Sequence, residues 1–98
     1  MKTNMEMIME LDEVYTPETK RVVNIKEIHL INEKLCLGSM DELQLQNLRD
    51  MVVMWYSSKI DSFDDFNLKL DIMDKLSAIT NVIDLVIQNF WRKNNENI

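Results

Sequence analysis

Ninety-eight residues with one cysteine, one glycine and one proline allow a single domain with a thin core. They exclude an internal disulfide and argue against a strand-and-turn fold, which needs turn residues every dozen positions or so. Seventeen acidic side chains against eleven basic ones give a formal charge of −6, which opposes phosphate backbones and anionic lipid; charged partners should be basic, and direct nucleic-acid binding is disfavoured.

The amino-terminal residues 1–15 read two ways. Met5, Met7, Met9 and Leu11 alternate as in a strand, whereas Met5, Ile8, Leu11 and Tyr15 recur as a helix face; the segment is expected to be an arm. Glu6, Glu10, Asp12 and Glu13 interrupt the apolar run that a signal peptide would need. The longest apolar run, Met51 to Tyr56, is far short of the roughly 20 residues of a membrane-spanning helix. A cytoplasmic protein with no membrane partner is expected.

Thr16-Pro17-Glu18 has the composition of a helix start, with a capping hydroxyl, a proline at the first helical position and an acid at the positive dipole end. This predicts a first helix over about 17–36, its stripe formed by Val22, Ile25, Ile28, Ile31 or Asn32, and Leu35. The β-branched content leaves a strand through 21–31 as the alternative. Gly38 falls where a left-handed residue would close that helix, and Ser39 with Glu42 has the spacing of a capping box. A second helix over about 40–60 follows, with Leu45, Leu48, Val52, Trp55 and Tyr56 on its main stripe.

Asp61, Asp64 and Asp65 supply a second cluster of capping acids, predicting a tight reversal and a third helix over about 64–92. Asp65 with Lys69 and Asp71 with Lys75 have the i,i+4 spacing of ion pairs. Residues 93–98 are expected to fray. The predicted fold is therefore all-α: an antiparallel helical hairpin crossed by a preceding helix, with the arm at one end.

Candidate chemistry is sparse. The acids at 61–65 lack the glycine and distal glutamate of a calcium loop and read as caps, so neither metal nor cofactor is expected. His29 stands alone. Cys36, near a helix carboxyl end where the dipole raises a thiol pKa, reads as packing. Trp55, Tyr56, Ser57, Ser58 and Lys59 are the most chemically mixed run and the candidate small-ligand or nucleotide pocket, with a base stacked on an aromatic ring and a phosphate met by the hydroxyls and cation.

A long third helix overhangs its neighbours, and Val86, Ile87, Phe90 and Trp91 on its distal turns are too apolar to stay wet. A second copy of the chain is the economical cover, so a homodimer is expected with those four residues at the interface. The leading functional expectation is a non-enzymatic binding protein: an inhibitor, adaptor or regulatory partner docking an acidic helical surface on a basic protein. Abundant Asn, Ile, Lys and Met fit an AT-rich coding sequence, as in many phages, and a phage-encoded antagonist of a host protein would suit this description.

Overall fold

The computed structural model describes residues 2–18 and 22–96, and among them the fold is all-helical. The helices are α1 (Asn4–Val14), α2 (Ile25–Leu35), α3 (Glu42–Asp61) and α4 (Phe66–Glu96), with a 3-10 turn at Leu37–Ser39 between α2 and α3. Each begins where a side chain can take up amides that the helix itself leaves free. The Thr3 hydroxyl accepts from the Glu6 amide at the start of α1. Asn24 and Glu27 form a reciprocal capping box at α2, Asp41 and Gln44 another at α3, and Asp65 Oδ1 accepts from the Asn67 amide at α4.

Several expected boundaries are corrected. The arm is a helix, and its face is the 3.6-residue one: Ile8 and Leu11, with Tyr15 just beyond the helix end, are 1% exposed, whereas Met5 and Met9 are exposed. The first long helix starts at Ile25 rather than at residue 17, and no strand occurs at 22–31. Thr16-Pro17 lies in the α1–α2 connector because Glu27 organises that connector around itself. Glu27 accepts from the Asn24 amide at 2.8 Å and closes the capping box. It also accepts from the Glu18 amide at 3.0 Å and the Tyr15 hydroxyl at 3.1 Å.

The left-handed residue closing α2 is Cys36, at φ 53°, not Gly38. Ser39 does not cap α3. Its hydroxyl donates to the Cys36 carbonyl at 2.8 Å, and the capping box moves two residues on to Asp41. The end expected to fray continues as helix to Glu96, with Lys93 at the negative dipole end; Asn97 and Ile98 lie outside the described residues.

The core follows from the stripes. Leu45, Leu48, Val52 and Tyr56 on α3 are fully buried and face Ile79, Val82 and Ile83 of α4 within one apolar cluster, with Ile31 and Leu35 of α2 and Ile8 and Leu11 of α1 completing it. Trp55, expected on the main stripe, is half-buried. The four residues Ser62–Asp65 between α3 and α4 set them antiparallel, and Arg49 grips Asp84 across the pair at 2.7 and 3.3 Å. At 1.5 Å per residue, the 31 residues of α4 span about 46 Å, most of the molecule's 50 Å length.

That overhang is partly covered from within. α2 packs on α4, the 3-10 turn brings Leu37 and Gly38 beside Val86 and Phe90, and Ile83 is fully buried. Val86, Ile87 and Phe90 are half-buried against the core, and Trp91 alone of the four expected interface residues is 62% exposed. No described helix is long and apolar enough to cross a membrane.

Candidate functional site

The carboxyl end of α1 carries no basic residue in its last turn, so the partial negative charge of its free carbonyls must be met from elsewhere. It is met by two lysines from the hairpin. Lys75 of α4 donates to the Asp12 carbonyl at 2.9 Å and to Asp12 Oδ1 at 3.2 Å. Lys59 of α3 lies 2.6 Å from Asp12 Oδ2, and the Tyr56 hydroxyl donates to Oδ1 at 3.0 Å. Lys59 also stands over the Trp55 ring, 4.6 Å from its centroid, while the Trp55 and Tyr56 rings meet edge to face at 4.8 Å.

This arrangement sets the protonation states. Burial pushes the Asp12 carboxyl up, but the hydrogen bonds from Lys59, Lys75 and Tyr56 outweigh it and hold Asp12 below its ordinary value. Burial, then the neighbouring Asp12 charge, pushes the Tyr56 phenol up. At Glu27 the order is similar: burial opposes ionisation, and the amides of Asn24 and Glu18 with the Tyr15 hydroxyl overcome it. Both carboxylates are thus anionic near neutral pH, each with several donors on it.

Beside the Asp12 cluster lies a cleft of about 410 Å³. Thr16 and Pro17 of the α1–α2 connector form one side, and Phe63, Leu68 and Ile72 of the hairpin supply the apolar surface opposite. Asp71 and Asp74 also line it, as do Asp12 and the two lysines engaged on it, Lys59 and Lys75. The i,i+4 pairing expected between Asp71 and Lys75 is absent, because the Lys75 ammonium is committed to Asp12. Nor does Lys69 pair with Asp65, whose carboxylate caps α4. Among the described residues, Asp71 and Asp74 have no ion-pair partner.

The expected ligand run is dispersed by the helix. Tyr56 is fully buried and its ring cannot stack a ligand; Ser57 and Ser58 are exposed; Trp55 is half-buried beneath Lys59. Lys59 is the member of that run that lines the cleft. His29 is on the surface, and Cys36 is exposed rather than packed. No three His, Cys, Asp or Glu side chains among the described residues are grouped to hold a metal ion. Sequence reasoning missed the Asp12 cluster altogether, since Tyr56, Lys59 and Lys75 lie 44 to 63 positions from Asp12 and no local spacing announces it.

Fold and cleft together define an all-helical domain with a charged, apolar-floored groove between its amino-terminal connector and its hairpin. No protein family, curated protein or solved structure matches the chain.

Proposed function

We propose that this chain acts by stoichiometric binding to another protein, as an inhibitor, adaptor or regulatory partner, presenting an acidic face to a basic surface. The observation that carries this reading is the α3–α4 end. Between residues 61 and 74 five aspartates accompany a single lysine, and Phe66 and Leu68 stand among them 70% and 45% exposed. Solvation accounts for the acids but not for the phenyl ring, whose exposure forgoes about 1.5–3 kcal/mol of burial. An apolar anchor in a predominantly acidic segment suits docking on a basic partner, with the charges steering the encounter.

The test is retention from a bacterial lysate by the immobilised full chain at low salt. The expected result is a protein with a basic surface that elutes as salt rises towards about 0.5 M, where screening shortens the reach of charges to a few ångströms. Retention of nothing salt-sensitive overturns the reading. An antagonist encoded by a phage is one form it could take.

Self-association is a second reading, supported by the exposed Trp91 beside the half-buried Phe90. Sedimentation at micromolar concentration should show a dimer that Trp91→Ala returns to monomer, and a monomeric wild-type chain removes it.

A further inference from the structure

We infer that the cleft between the α1–α2 connector and the α3–α4 hairpin receives a cationic side chain, arginine or lysine, from a basic partner segment. This deepens the binding function proposed above and rests on it. The cleft has the dimensions and lining for a long aliphatic stem ending in a charge: Pro17, Phe63, Leu68 and Ile72 supply apolar surface, and Asp71 and Asp74 line it with carboxylates. Arginine and lysine side chains bury their methylenes on such surface while the charged head remains with its counter-ions.

The sign of the ligand follows from which charges are already satisfied. Both lysines in the cleft are consumed by Asp12, through its two carboxylate oxygens and its main-chain carbonyl, so they offer little to an incoming anion. Asp71 is left over because the ammonium four residues along its own helix is drawn away to α1. Three carboxylates face two ammonium groups in the cleft among the described residues, and the deficit is a positive charge. Asp61 and Asp64, exposed on either side of the cleft residue Phe63 in the sequence, add the same sign and would favour a segment with a second basic residue.

The experiment is amide chemical-shift titration of the isotope-labelled full chain with three probes: the peptide Ac-GGRLLRGG-NH2, its acidic counterpart Ac-GGELLEGG-NH2, and inorganic phosphate. The arginine peptide should shift amides of Thr16, Phe63, Leu68 and Ile72. Its affinity should fall about tenfold in the D71N/D74N variant, about threefold for each of the two carboxylates. That variant is isosteric at two positions that have no ion-pair partner among the described residues and is expected to keep the fold. Equal shifts from both peptides, stronger shifts from phosphate, or an unchanged affinity in D71N/D74N would overturn the assignment.

Lysate retention by the same variant separates the two readings. A partner held equally by wild type and D71N/D74N leaves the binding function standing and removes the cleft from it. Specific arginine-peptide binding with nothing retained from lysate leaves the cleft assigned and removes the protein-binding role.

Discussion

Replacing Asp12 with asparagine removes one charge from the point where α1 meets the α3–α4 hairpin. The asparagine keeps an oxygen for Tyr56, and Lys75 keeps the main-chain carbonyl, but an amide nitrogen replaces the oxygen that accepts from Lys59, so the loss is that hydrogen bond together with the attraction of two ammonium groups for one carboxylate. The side chains of Asp12, Lys75 and Lys59 are 13%, 20% and 34% exposed. The cluster therefore falls between a surface pair worth about 0–1 kcal/mol and a buried one whose breakage costs about 3–5 kcal/mol. We expect D12N to lose about 2–3 kcal/mol, a large part of the total for a domain of this size, which is about 5–15 kcal/mol.

Urea unfolding followed by tryptophan fluorescence at 25 °C and pH 7 measures the difference. Its pH dependence tests the cause. Because the folded Asp12 carboxyl is held below its ordinary value, its stabilisation is fully present above the unfolded pKa of about 3.9 and fades as pH falls through the folded value. The gap between wild type and D12N should therefore be constant from neutral pH down to about 5 and shrink below about 4. A loss under about 0.5 kcal/mol at pH 7, or a gap that persists undiminished in acid, would refute the assignment of the cluster as a load shared through ionised Asp12.

Two further substitutions probe the connector and the α2 end. Glu27→Gln must turn an amide nitrogen towards one of three donors, so thermal or urea unfolding should show a loss of about 2–4 kcal/mol; a change under 1 kcal/mol would mean that Glu27 does not organise the connector. Cys36→Gly relieves a left-handed backbone at φ 53° at the cost of one weak thiol contact to the Glu33 carbonyl. Chemical denaturation should show a gain of about 0.5–1 kcal/mol, and destabilisation would mean that the thiol contributes more than its exposure suggests.

The hairpin was legible because periodicity and capping both point to it. Leu45, Leu48, Val52 and Tyr56 repeat at helical spacing over about three turns, and Asp64 and Asp65 favour the start of a helix, where carboxylates meet free amides. The amino-terminal third was less legible for a physical reason. Thr16-Pro17 and Asn24-x-x-Glu27 are both credible starts, and the choice between them is made by a buried carboxylate whose other donors, Tyr15 and Glu18, have no fixed spacing from it. Gly38 misled in the same way: glycine tolerates a positive φ without requiring one, and here the 3-10 turn placed that conformation two residues earlier, on Cys36. The cleft was invisible in the sequence because its defining event, the capture of Lys75 by Asp12, depends on a contact 63 residues distant. Local rules assign that lysine to Asp71.

The two-lysine clasp on Asp12 also ties occupancy of the groove to the seating of the first helix. One wall of the groove is Thr16 and Pro17, which leave their place if α1 detaches, whereas the opposite wall belongs to the hairpin and stays. Any molecule that touches both walls binds the closed form alone. By mass action it would slow deuterium uptake along the whole of Asn4–Val14, of which Asp12 alone lines the groove.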